Sequence, residues 1–228
     1  MSAYLLINIL IVIIPLLMSF ERKIKFYKNY NNLTFSMFSV GVPFLIWDII
    51  AENKGDWMFN NKFICGLKIF NLPIEEILFF ITVPYSIMFL YETFIYYLTP
   101  KKISFNRNYL FLFAIIFLIT AIIYYQQNYT FTVFLFLSIL LLLVNISKLN
   151  FIKNQYLIYF ILFTFVPFFA VNYFLTSLPV VIYNSKAILG IRITTIPLED
   201  FFYSLCLIIG YLFTYEFAKE KWQVKSVR

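Results

Sequence analysis

Seven carboxylates stand in or at the edges of strongly apolar runs: Asp48, Glu75, Glu76, Glu92, Glu199, Asp200 and Glu216. Four of them form two doublets, each opened by a proline: Pro73-Ile74-Glu75-Glu76 and Pro197-Leu198-Glu199-Asp200. Ionisable groups in such surroundings are expensive to keep and are functional candidates by default. A helix start favours the carboxylate form, whereas apolar surroundings and a like-charged neighbour favour the neutral acid. A group set between these influences suits proton donation and acceptance, so Glu75, Glu76, Glu199 and Asp200 are the candidate catalytic residues. Adjacent helical residues point about 100° apart. One acid of each doublet is therefore expected to face the interior, while the other caps the helix or pairs with Lys68 or Arg192; which is which stays open. The chain has no His and only two isolated cysteines, Cys65 and Cys206. That removes the usual zinc, haem and Cys/His catalytic sets, so no metal is expected, and carboxylates and tyrosines remain as the useful groups.

The elements that must carry these acids are membrane helices. At 62% hydrophobic residues and a mean hydropathy of +0.84, the chain is too apolar for a soluble globule. Seven apolar runs are read as spans: Ala3–Phe20, Leu33–Ile50, Pro73–Leu98, Tyr109–Tyr125, Tyr129–Ile146, Gln155–Leu175 and Pro197–Ala218. The first lacks a preceding basic residue and a small-residue cleavage site, so it reads as a retained helix. Shifting the chain by 124 residues lays the second doublet on the first, Val42-Pro43-Phe44 on Val166-Pro167-Phe168, Gly66 on Gly190, Lys68 on Arg192 and Tyr91-Glu92 on Tyr215-Glu216. Thirteen of 51 gap-free positions from 42 to 92 are identical, and Pro, Gly and Glu are among them, which Phe/Ile/Leu bias does not explain. The expected fold is an all-α integral membrane protein, a seven-helix bundle of two parallel three-helix repeats joined by a linker helix. The repeats occupy 1–100 and 127–228, with the linker at 101–126. Three helices plus one extra crossing keep both repeats in the same direction, so both doublets open onto one face.

Orientation follows from the basic residues. Thirteen of 18 Lys and Arg fall on one side: Arg22 to Lys28, Lys101 to Arg107, Lys148, Lys153 and Lys219 to Arg228. The positive-inside rule then puts the amino terminus outside and the carboxyl terminus in the cytoplasm of a multi-pass cell-membrane protein, a bacterial inner membrane being the expected setting. The +7 charge is scattered over short loops, so topology explains it and no nucleic-acid partner is expected. Asp48 follows Trp47, and its repeat mate is Asn172; the pair is a candidate for a proton relay or for helix-end polarity. Pro43 and Pro167 match mid-span and are expected to bend their helices around a cavity. Glu92 and Glu216 lie 17 residues beyond Glu75 and Glu199, about 25 Å along a helix, which suits an interface role more than chemistry. Aromatic residues make up 22% of the chain; most suit lipid and interfacial packing, and a minority could present π-faces to a carbocation.

The paired Pro-x-Glu-Glu/Asp signatures, Trp47-Asp48, the Gly66–Pro73 approach and Gly190-Ile-Arg-Ile-Thr-Thr-Ile-Pro197 resemble the membrane-integral lycopene cyclase family, which occurs as two small subunits or as a fused chain. The resemblance implies a carotenoid substrate, lycopene or γ-carotene, whose linear ψ-end is isomerised to a β-ionone ring without a cofactor. A general acid protonates the terminal double bond, the next double bond attacks the cation, and a base removes a ring proton. Trp47, Asp48, Asn172, Pro43 and Pro167 are the candidate substrate-binding residues. The lipid bilayer and other enzymes of carotenoid biosynthesis are the implied partners. The chain has no G-x-G-x-x-G fingerprint, which separates it from flavin-dependent cyclases, and no pair of D-x-x-x-D motifs, which argues against a prenyltransferase. A related carotenoid hydratase, in which water captures the cation, and a non-enzymatic transporter or lipid-binding bundle are the alternatives.

Overall fold

The computed structural model describes residues 2–98, 105–147 and 156–223. Lys101, Lys102, Lys148, Lys153, Lys225 and Arg228 of the charge count, and Gln155 at the expected start of the sixth span, lie outside the described residues. The described chain forms seven helices: α1 (Ala3–Met18), α2 (Phe26–Lys54), α3 (Ile74–Tyr97), α4 (Asn108–Ile123), α5 (Asn128–Ile146), α6 (Tyr156–Ser177) and α7 (Leu198–Gln223). Three two-stranded ribbons lie among the described residues, built from β1 (Trp57–Phe59), β2 (Lys68–Ile69), β3 (Leu72–Pro73), β4 (Val181–Tyr183), β5 (Arg192–Ile193) and β6 (Ile196–Pro197). The protein is an all-α membrane bundle.

Five helices, α2, α3, α5, α6 and α7, are long and apolar enough to cross a bilayer. The other two are shorter than the sequence suggests: α1 and α4 have 16 residues each, about 24 Å at 1.5 Å per residue, against a hydrocarbon core of about 30 Å. Helix α1 stops where Ser19 turns its hydroxyl back onto the Pro15 carbonyl. Helix α4 nevertheless runs the length of its neighbour. Arg107 at its start donates to the Asn145 carbonyl at the end of α5, 2.6 Å away, while a short turn joins its other end to the start of α5. The pair is therefore an antiparallel hairpin.

Helix α2 is longer than the span Leu33–Ile50 and is not uniform. It opens as a 3₁₀ turn, contains a π-helical stretch at Met37–Gly41, and resumes as α-helix from Val42. Pro43 has no N–H for the carbonyl one turn back, which accounts for the local rewinding. Gly55, at φ 74°, ends the helix by bonding back to Ala51 and Glu52.

The 124-residue spacing recurs in the loops residue for residue. Strands β1, β2 and β3 fall on β4, β5 and β6. Ile74 N–H bonds to Leu67 O at 3.0 Å, and Leu198 N–H to Ile191 O at 2.9 Å. Gly66 and Gly190 hold φ of 88° and 81°, which explains why both positions are glycine. The loops are also tied to each other, since β1 and β4 pair antiparallel with Trp57 opposite Tyr183. At the far end Lys219 Nζ of α7 meets Glu92 Oε1 of α3 at 2.6 Å, and Tyr215 donates to the same carboxylate at 2.8 Å. Joined at both ends in the same sense, α3 and α7 run parallel.

The core lies between α2, α3, α5 and α7, where Met88, Leu137, Tyr211 and Leu212 are fully enclosed. Helices α1 and α5 pack on α3 and α7, and α2 leans on α7, where Ser36 Oγ bonds to the Tyr211 carbonyl. The outward faces of α1, α4 and α6 carry exposed Leu, Ile and Phe, the surface a bilayer covers.

Candidate active site

Both doublets sit in the first turn of their helices, on the same end of the bundle, and all four side chains are buried. Within each doublet the two acids have different jobs. Glu75 Oε1 accepts from Ser2 Oγ and from the Cys65 backbone N–H, each at 2.6 Å. Glu199 Oε1 accepts from Thr130 Oγ1 and from the Leu189 N–H, also at 2.6 Å. The outer acid thus staples the preceding loop and the start of a neighbouring helix to its own helix. The same junctions carry backbone bonds, Tyr4 N–H to Phe63 O and Tyr129 N–H to Ala187 O. The remaining oxygens, Oε2 of Glu75 and of Glu199, are buried without a hydrogen-bond partner.

The inner acids meet tyrosines. Glu76 accepts from the Tyr4 hydroxyl, and Asp200 accepts from Tyr129 at 2.7 Å on one oxygen and from Tyr183 at 2.9 Å on the other. Around them stands a cluster of rings drawn from both halves of the chain. Trp47 packs against Tyr203 at 5.4 Å, Trp57 lies edge-on to Tyr129 at 5.0 Å, and Tyr129 stacks on Tyr183 at 5.7 Å. Tyr183, on β4 outside the spanning helices, is where the two doublets meet electrostatically. Its burial, then the Asp200 carboxylate it binds, then Glu76 and Asp48, hold the phenol well above its ordinary value, so it stays a proton-bearing donor.

Asp48 joins this group. It is buried on α2 within electrostatic reach of Glu76 and Glu52, and its Oδ2 has no hydrogen-bond partner. Its mate Asn172 does not: the Asn172 amide bonds to the Phe168 carbonyl of its own helix. Pro43 and Pro167 lie on exposed flanks of α2 and α6, so they act on helix shape. Lys68 and Arg192 make no ion pair with either doublet. The Lys68 charge is felt by Glu52, and Arg192 is held by the Thr195 carbonyl at 2.7 Å with its guanidinium 5.9 Å from the Tyr183 ring. Glu92 and Glu216 stand at the opposite end around Lys219.

Several participants escaped the sequence reading. Tyr4, Tyr129, Tyr183 and Tyr203 carry no motif, and Tyr4 and Tyr129 are 125 residues apart, one off the repeat offset. Trp57 and Glu52 fell in the stretch read as loop, whereas Glu52 is one turn beyond Asp48 on α2. The arrangement as a whole is two phenol-bound carboxylates and a third acid among aromatic faces, with hydrocarbon on the membrane side. It can move a proton onto and off an apolar substrate and shield a positive charge from water.

In comparison with known families, the chain matches the family described as lycopene cyclase over residues 1–94 and 126–218. The unmatched interval contains α4. Searches of curated proteins and of solved structures returned no significant match.

Proposed function

We propose that this chain, which belongs to the lycopene cyclase family, isomerises the linear ends of lycopene to β-rings by proton transfer alone, giving γ-carotene or β-carotene. Glu76 gives its proton to the terminal double bond. The tertiary cation is attacked by the neighbouring double bond, which forms the ring bond, and Asp200 takes a proton from the ring to restore neutrality. One proton enters and one leaves, so the product is an isomer of the substrate. Asp200 suits the accepting role because two phenols already donate to its oxygens; Glu76, with one phenol, keeps an oxygen for a proton. Asp48, which feels the Glu76 charge, is assigned the task of relaying protons to Glu76. The faces of Trp47, Trp57, Tyr129, Tyr183 and Tyr203 stabilise the cation, and the dry surroundings keep water from trapping it as an alcohol. Glu75 and Glu199 act as loop staples. The chain is read as a tandem duplication of 1–100 and 127–228 around the linker 101–126, with the doublets on the non-cytoplasmic side.

The observation that carries this reading is that Tyr183, in a ring cluster drawn from both halves, donates to Asp200 and lies within electrostatic reach of Glu76 and Asp48. Expression in a lycopene-accumulating bacterium, with pigments separated by chromatography, tests it. Cyclic carotenes are expected; unchanged lycopene, or a hydroxylated linear product, would overturn the assignment.

A further inference from the structure

On the membrane side of the ring cluster, Tyr203 also borders a narrow cleft between α3 and α7. Phe79, Phe80, Val83 and Pro84 form one wall, and Leu207 and Tyr211 the other. Phe79 and Phe80 follow Glu76 by one helical turn, and Tyr203 follows Asp200 by one. Tyr211, eleven residues past Asp200, is about 16 Å further along the axis. The cleft therefore starts beneath both inner acids and runs toward the middle of the bilayer.

Two features mark it as a binding site and not a packing flaw. The Tyr211 side chain is buried, yet its hydroxyl has no hydrogen-bond partner, an unfavourable arrangement in apolar surroundings. Beside it α2 passes with its π-helical stretch, and Gly41 at the end of that stretch leaves room: a Cβ there would stand 3.2 Å from the Tyr211 oxygen. A helix gives way most readily at such a rewound turn next to a proline. As it stands the cleft holds only about 20 Å³, so an occupant must part its walls.

We propose that this cleft is the polyene subsite: the conjugated chain behind the reacting end lies between α3 and α7, with the Tyr211 hydroxyl directed at its π-face and the α2 bulge yielding to admit it. The proposal rests on the function argued above. O–H···π contacts are weak but real, and an unsaturated hydrocarbon offers no better acceptor. A saturated lipid chain would fit the space and leave the hydroxyl unpaired.

The test uses full-length protein purified from lycopene-accumulating cells in the Glu76→Gln background, where turnover is blocked. Retained lycopene per protein is read by absorbance and induced circular dichroism, with melting temperature as the fold control. Leu207→Trp, which fills the cleft, should lower retention roughly tenfold. Gly41→Val should do the same. Tyr211→Phe should lower retention of lycopene roughly threefold and leave unchanged the retention of its fully hydrogenated analogue, which is loaded from liposomes and, having no chromophore, quantified by mass spectrometry of the extract. If Leu207→Trp melts early, the smaller Leu207→Phe and Tyr211→Phe decide. Normal retention in well-folded Leu207→Trp or Leu207→Phe overturns the subsite, as does an equal loss of both hydrocarbons in Tyr211→Phe. Cyclisation by the unsubstituted protein is measured in parallel. Its absence would refute the function, whereas an active parent with cleft variants of normal retention refutes the subsite alone.

Discussion

Replacing each doublet acid by its amide separates staples from chemistry. In Glu199→Gln the amide oxygen keeps both acceptor bonds of Oε1, to Thr130 and Leu189, and the new NH₂ occupies the place of Oε2, which has no partner. What is lost is the charge assistance of two hydrogen bonds, about 1–2 kcal/mol, expressed as stability. Even if all of it reached the barrier, the rate would fall by only about 5–30-fold. Asp200→Asn differs. Its oxygen keeps one phenol, but its NH₂ faces the hydroxyl of the other, a mismatch of about 1–3 kcal/mol, and the proton acceptor itself is gone, worth about 10²–10⁴ in rate. Glu75→Gln should follow Glu199→Gln, and Glu76→Gln should follow Asp200→Asn. The assay is cyclic carotene formed per protein in liposomes, with detergent melting curves alongside. Outer variants as inactive as inner ones, or inner variants within tenfold of the parent, would refute the division of labour.

Other outcomes follow from the same geometry. The contribution of Tyr183 to folding stability should be flat below about pH 10 and fall above it, because the unfolded chain gives up a phenolic proton that Tyr183 in the folded protein keeps; Tyr183→Phe should soften the alkaline decline in melts taken on either side of the transition. Lys219→Met leaves Glu92 and Glu216 facing each other without their shared cation. It should lower stability by about 1 kcal/mol with little change in turnover, and a second change, Glu92→Gln, should restore part of the loss. Cys65 is exposed in the connection between α2 and α3 and Cys206 is buried, so a membrane-impermeant maleimide applied from the non-cytoplasmic side should label the first and spare the second. Labelling of Cys65 only from the cytoplasmic side would reverse the orientation.

The doublets and their common direction could be read from the chain, because carboxylates in apolar runs are conspicuous and a gap-free offset fixes helix parity. The division of labour within a doublet could not. It depends on which partners the fold brings up: Ser2 and Tyr4 from α1, Thr130 and Tyr129 from α5, and amides of loops whose strands are too short to show alternation. Trp47 and Asp48 were recognised as a pair, but Asn172 is satisfied within its own helix, so the two halves are unequal where sequence alone treats them as mates. The prolines were read as bends around a cavity. The cleft is lined by Pro84, which has no mate at the offset, while Pro43 and Pro167 face outward.

The ribbon of β1 and β4 has a consequence for how the chain can be supplied. Trp57 and Tyr183 belong to different halves yet lie opposite each other in it, and Asp200 is served by tyrosines of the second half while Glu76 and Asp48 come from the first. A polypeptide severed ahead of α4 would yield two fragments that each hold only one of the two inner acids. Mixed in one bilayer, they carry a ready-made seam for reassembly, and the covalent join then contributes proximity alone.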